Sequence, residues 1–262
     1  MPVMTIDRAA LRAQARERIR TARVPALRFT ALFLAIGVVL DLIGTAANYM
    51  LGDDITFSSL SLSFSFIGVL VSLLATVLRA GYAIYCLGVD RGEETPYSAL
   101  FDAFPFAGKV ILLTLLQAVL IAGGFMLFIV PGVVLALTYS FALYHLCEDP
   151  DVGVLDALRR SRQETFGYKT QLFLLLAGFL PLLILVSLPV SVCEYYLAAL
   201  LPKTLSGELA HTLAYGILVG CASLYLAPYI ALSQIGFYRR VTAPPEEEPL
   251  AESPESEENR LE

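Results

Sequence analysis

The chain is poor in the residues that carry most enzymatic chemistry. It has two histidines, His145 and His211, and four cysteines, Cys86, Cys147, Cys193 and Cys221, in no CxxC or other metal-ligand spacing. That argues against a zinc or thiol-redox centre, and the cysteines read as apolar packing residues. Charge is scarce as well. Only 16% of the 262 residues are charged and 57% are hydrophobic, whereas soluble domains run near ~45–50% apolar. The sequence holds no nucleophile elbow, no HExxH, no phosphate-binding glycine loop with a lysine, and no intramembrane pair of aspartates or histidines. Serine, threonine and tyrosine hydroxyls are plentiful, but none has a plausible histidine base near it in sequence. These absences put an intramembrane enzyme last among the function classes. No catalytic residue, metal or cofactor is assigned.

What is present is apolar length. From Phe29 to Tyr238 the chain is a series of hydrophobic runs too long and too charge-poor for a soluble core, so the expected fold is an all-α, polytopic transmembrane helix bundle. Spans are expected at about 29–50, 60–88, 109–129, 131–147, 170–198 and 210–237. The break at Pro131-Gly132 reads as a tight turn between spans three and four. Residues 1–28 form an Arg-rich interfacial segment, 29–238 the transmembrane domain, and 239–262 an acidic tail. The tail carries Glu246, Glu247, Glu248, Glu252, Glu255, Glu257, Glu258 and Glu262 with four prolines, a composition expected to stay disordered. The N-terminus has no short apolar core and no small-residue cleavage site, so the first span is expected to be retained.

Charge placement sets the expected orientation. Arg8, Arg12, Arg16, Arg18, Arg20, Arg23 and Arg28 precede span one; Arg91 and Lys109 flank the connection to span three; Arg159, Arg160, Arg162 and Lys169 precede span five; Arg239 and Arg240 follow span six. With a turn at Pro131-Gly132 all of these lie on one side, facing only Lys203, Asp53, Asp54 and Glu208 on the other. The positive-inside rule then predicts a cell-membrane protein with both termini cytoplasmic.

The segments before spans one, three and five look alike. DRAALRAQARERIR, PYSALFDAFPF and DVGVLDALRRSRQETF are each short, partly apolar and followed by a span, which suggests a threefold pseudo-repeat of elbow helix plus transmembrane hairpin. The first elbow has few large apolar side chains, so it is expected to lie on anionic headgroups, each cation adding about 1 kcal/mol. It lacks the aromatic interleaving of a nucleic-acid binder.

Asp41 and Arg79 are the deepest ionisable residues. A charge at mid-membrane costs at least ~2.5 kcal/mol on the insertion scale, so each needs a reason. Three are open: a structural ion pair between adjacent antiparallel spans, an arginine snorkelling to lipid headgroups, and a polar centre on a substrate or proton path. Glu194 falls near the outer interface and is assigned nothing. Gly216 and Gly220 give span six a smooth stripe for helix packing, while Pro181, Pro189 and Pro228 are expected to bend spans five and six. Arg159, Arg160, Ser161, Arg162 and Lys169 are the candidate cytoplasmic contact to anionic headgroups or a protein partner.

The segment PGVVLALTYSFALYHLCEDPDVGVLDALRRSRQETFGYKTQLF resembles a bacterial integral-membrane family catalogued as domain of unknown function 975. Pro131, Gly132, Tyr139, Ser140, Tyr144, Ala157, Leu158, Ser161, Arg162, Gly167 and Lys169 carry the resemblance, with flanking likenesses in LRAQARERI, Phe101 to Lys109 and LAPYIALSQIGFY. Leu143 stands where the family often has proline, which should leave span four straighter. The chain is more distantly similar to the membrane domain fused to some glycerophosphodiester phosphodiesterases. The resemblance implies a six-span membrane protein without an established biochemical role. The expected role is a non-enzymatic lipid- or partner-binding scaffold; the alternative is a small transporter or lipid-handling protein with its path near Asp41 and Arg79.

Overall fold

A computed structural model describes residues 7–22, 25–51, 55–57, 62–64, 66–202 and 204–242. Among the described residues ten α-helices carry the fold: α1 (Arg8–Thr21), α2 (Ala26–Leu51), α3 (Phe66–Arg91), α4 (Ala107–Leu127), α5 (Ile129–Thr138), α6 (Ala142–Glu148), α7 (Val154–Glu164), α8 (Lys169–Ala177), α9 (Leu180–Leu200) and α10 (Leu205–Thr242). They supply six stretches long and apolar enough to cross a bilayer, so the protein is a multi-pass helical membrane protein. The second stretch starts at Ile67 rather than near 60, because Leu62–Phe64 pairs antiparallel with Ile55–Phe57 in a small hairpin. The basic pair Arg239 and Arg240 belongs to α10. The acidic remainder, 243–262, lies outside the described residues.

The three breaks inside the apolar stretches have local causes. Spans three and four do reverse, but at Phe128, whose backbone is extended (φ −162°, ψ 162°). Pro131 and Gly132 fall in the first turn of α5, where a proline's missing N–H would have no helical acceptor anyway. Gly132 instead provides room. A Cβ there would run into the Phe125 ring, and one on Gly124 would stand 3.0 Å from the Gly132 backbone. Span five is interrupted at Gly178–Phe179, with Pro181 opening α9. Pro189 and Pro228 lie within α9 and α10.

Span four is broken, not straight, despite Leu143 in place of proline. α5 ends at Thr138 and α6 begins at Ala142. Ser161 of α7 holds the gap: its Oγ donates to the Thr138 carbonyl (2.8 Å) and accepts from the Phe141 N–H (3.2 Å). Thr165 donates to the same carbonyl (3.2 Å), and Gln117 Nε2 donates to the Tyr139 carbonyl (2.7 Å). The broken backbone groups thus find side-chain partners, as they must where no water is guaranteed.

The three elbows share one packing rule. The 3₁₀ turn Tyr97–Phe101 packs on α3, with Phe104–Phe106 against α4, α7 packs on α6, and α1 packs on α10, so each elbow lies on the returning span of the preceding hairpin, cyclically. Each presents a short apolar stripe: Leu11, Ala15 and Ile19; Ala99, Leu100 and Ala103; Val154, Ala157 and Leu158. The three returning spans meet at the end that holds α1 and the C-terminus of α10. Arg239 Nε pairs with Asp90 (3.1 Å), Arg239 Nη2 and Arg91 Nη2 both reach Glu148 (3.2 and 2.7 Å), and the Tyr238 hydroxyl donates to Glu148 (2.6 Å).

The first elbow is docked on the bundle through its Leu11, Ala15 and Ile19 face. Asp7 caps it by accepting from the N–H of Ala9 (2.8 Å) and Ala10 (3.3 Å). At the break in span five the Phe179 N–H bonds back to Leu176, leaving the Leu175 carbonyl without its helical donor. Arg12 Nη2 supplies one at 3.1 Å, with its guanidinium 4.8 Å from the Phe179 ring centre. Arg16 lies 5.4 Å from the Tyr229 ring and Arg18 donates to the Val89 carbonyl (3.4 Å). The thin Leu11, Ala15, Ile19 stripe suffices because three arginines add specific bonds around it.

Candidate functional site

Small residues leave a space between α2, α3 and α10. Gly37 and Gly44 on α2 and Gly220 on α10 line a groove of about 820 Å³ that also takes in Asp41, Arg79, Glu194 and His211. α9 contributes only Glu194 to this lining. The walls are otherwise mostly apolar, with Thr45 and Thr212 joined hydroxyl to hydroxyl at 3.1 Å. Gly216 does serve close packing, since a Cβ there would stand 2.7 Å from Val38 on α2. Gly220 does not: a Cβ there would meet nothing within 4 Å, and the same holds for Gly37. Half of the expected glycine stripe thus brings helices together and half opens the groove.

Asp41 and Arg79 share this groove without forming an ion pair within 4 Å, and neither has a hydrogen-bond or ion-pair partner among the described residues. The unfilled glycine positions between their helices explain why: the two charges face a space, not each other. At 1.5 Å per residue, Asp41 lies about 22 Å from the start of α2 and Arg79 about 18 Å from the end of α3, so their depths differ by roughly one turn. Glu194 and His211 sit about 9 Å from the far ends of α9 and α10 by the same measure. The His211 Nε2 is buried with no hydrogen-bond partner. Ionisable groups therefore descend from the far end of the bundle to its middle. Toward the near end the lining includes Phe33, which stacks on Tyr82 (4.8 Å); Phe29 stacks on Tyr85 (3.6 Å), with the Thr30 and Tyr82 hydroxyls 3.0 Å apart.

Glu194 and His211 were not legible as site residues. Each is a single polar residue near a span end, where ionisable groups are cheap, and nothing in the sequence says which face of α9 meets α10. The available signal was the glycine at Gly37, Gly44, Gly216 and Gly220, of which Gly216 marks the close approach of α10 to α2 and Gly37 and Gly220 the space beside it.

The α7 candidates divide. Arg159, Arg160 and Arg162 are exposed and Lys169 is half-buried at the start of α8, whereas Ser161 is fully buried and spent on the span-four break. Ser161 is thus not available as a contact. Leu155 and Phe166, 67% and 79% exposed, flank Arg159 and Arg162 on one face. A shallow depression of about 420 Å³ lies between Arg159, Arg162, Gln163 and Phe166. Arg159 also pairs loosely with Asp156 at 3.6 Å.

Residues 117–244 match the model of a family described as protein of unknown function, DUF975. No curated protein and no solved structure matches the chain. The match takes in the Pro131 to Lys169 segment and LAPYIALSQIGFY, while LRAQARERI and Phe101 to Lys109 fall outside it. The more distant likeness to a membrane domain of glycerophosphodiester phosphodiesterases has no support in these comparisons.

Proposed function

We propose, with no activity to carry over from the family matched by residues 117–244, that this protein is a non-enzymatic, lipid-handling component of the cell membrane that holds an amphiphile in the groove between α2, α3 and α10. One observation carries this reading: Asp41 and Arg79 lie at mid-depth on a shared cavity of about 820 Å³ without neutralising each other. Intramembrane charges that face a cavity mark substrate paths more often than packing. The mostly apolar walls suit acyl chains, and the ionisable groups suit a polar head. A purely structural pair would have brought the two charges into contact.

The end bearing α1, α7 and the C-terminus of α10 is assigned to the cytoplasm. All the described arginines outside Arg79 belong to it, and the positive-inside rule favours that side. There Leu155 and Phe166 enter the headgroup layer while Arg159 and Arg162 meet anionic lipid. Nucleic acid has no place in this reading. The test is native mass spectrometry of the full chain extracted in mild detergent. The parent is expected to retain a bound amphiphile, and Asp41→Asn/Arg79→Gln to lose it while melting within a few degrees of the parent. Equal retention by both proteins contradicts the assignment.

A further inference from the structure

The order of charges along the groove narrows the ligand further. Measured from the far end of each helix at 1.5 Å per residue, Arg79 is deepest at about 20 Å, Asp41 lies at about 15 Å, and Glu194 at about 9 Å. A cation thus sits innermost and two carboxylates sit above it on the same groove. Resting on the reading of the groove as an amphiphile site, we propose that it holds a zwitterionic phospholipid with a primary-ammonium head, of the phosphatidylethanolamine type. Arg79 takes the phosphate, Asp41 and Glu194 take the ammonium, and the acyl chains lie along the apolar walls.

Three features select this class. A lipid whose head points toward the far surface carries its phosphate deeper than its ammonium, which is the order of the charges here. A primary ammonium has three N–H donors that two carboxylates can accept. A quaternary choline has none and is recognised by aromatic cages, whereas this groove sets only Phe33 and Tyr215, too few for a cage, beside its carboxylates. A net-anionic head would meet two carboxylates against one guanidinium. The unpartnered His211 Nε2 adds a further polar contact beside Glu194 without changing the balance.

The experiment is a lipid titration of the detergent-purified full chain, read by native mass spectrometry, with phosphatidylethanolamine, phosphatidylcholine, phosphatidylglycerol and soluble phosphoethanolamine as probes. Phosphatidylethanolamine is expected to bind about tenfold or more tightly than the other two lipids, the scale of one charge-assisted hydrogen bond. Soluble phosphoethanolamine is expected to bind far more weakly for want of acyl chains. Asp41→Asn, with Glu194→Gln as a second variant nearer the surface, should erase the preference over phosphatidylcholine. Arg79→Gln should weaken all three lipids, whereas a site for a simple cation would tighten when the guanidinium is removed. Equal binding of choline and ethanolamine lipids, a preference for phosphatidylglycerol, tighter binding by Arg79→Gln, or equal binding of soluble phosphoethanolamine overturns the inference while leaving an amphiphile site standing. No lipid bound by any variant removes both.

Discussion

Ser161 shows how far a residue's role depends on what breaks beside it. In sequence it stands among three arginines and reads as a surface hydroxyl; in the fold it points the other way and bridges Thr138 and Phe141 across the interruption of span four. Ser161→Ala is expected to cost roughly 1–3 kcal/mol, because a buried backbone N–H loses its acceptor, and a lowered melting temperature checks it. Glu148 is a second such residue. It receives Arg91, Arg239 and Tyr238 at one point, so Glu148→Ala removes a carboxylate shared by two guanidiniums and leaves them only Asp90 and the more distant Glu93. The expected loss is on the order of 3 kcal/mol, the lower end of the range for breaking a buried ion pair, since Glu148 keeps 22% of its side chain exposed. Thermal unfolding in detergent measures it. Neither contact was legible, because both depend on partners 20 to 90 positions away and no periodicity encodes them.

At the scale of elements, hydropathy and charge were sufficient for much of the chain. The runs around α2, α3, α4 and α10 are apolar for more than a bilayer's thickness, and a bilayer admits helices there and little else. The helical turn between α4 and α5 was legible from Pro131-Gly132 within a few residues. The first elbow was not. Its composition suits a headgroup-bound helix, but the orphan Leu175 carbonyl that draws Arg12 inward arises only from the Gly178–Phe179 break. The two accounts differ in what Lys can replace. A headgroup anchor needs only charge, so Arg12→Lys would be silent; the docked helix needs a planar fork that bonds the carbonyl and covers Phe179. Arg12→Lys is therefore expected to lower the melting temperature nearly as much as Arg12→Ala, with Arg8→Lys and Arg20→Lys within ~0.5 kcal/mol of the parent.

For the molecule as a whole, three elbow-and-hairpin units close on themselves, with the returning spans α3, α6 and α10 at the centre and their charged ends locked at one face. The resemblance among the three pre-span segments foreshadowed this arrangement, but the cyclic packing of each elbow on the previous unit is a tertiary fact. The units are not equal. Between α2, α3 and α10 glycines leave a groove, and that opening is what separates a binding reading from a purely structural one. The depth of Asp41 and Arg79 was legible from their positions in the spans; that they face a space rather than each other was not, because it follows from side chains that are absent at Gly37, Gly44 and Gly220.

The most direct test fills that space. Gly37 and Gly220 line the groove and a Cβ at either meets nothing within 4 Å, so Gly37→Leu/Gly220→Leu occupies the cavity without colliding with the packed interface at Gly216. Native mass spectrometry of this variant beside the parent is the measurement. The account expects the variant to fold with unchanged helix content and melting behaviour and to lose the amphiphile that the parent retains. An amphiphile still bound at parental stoichiometry in the filled variant would contradict it.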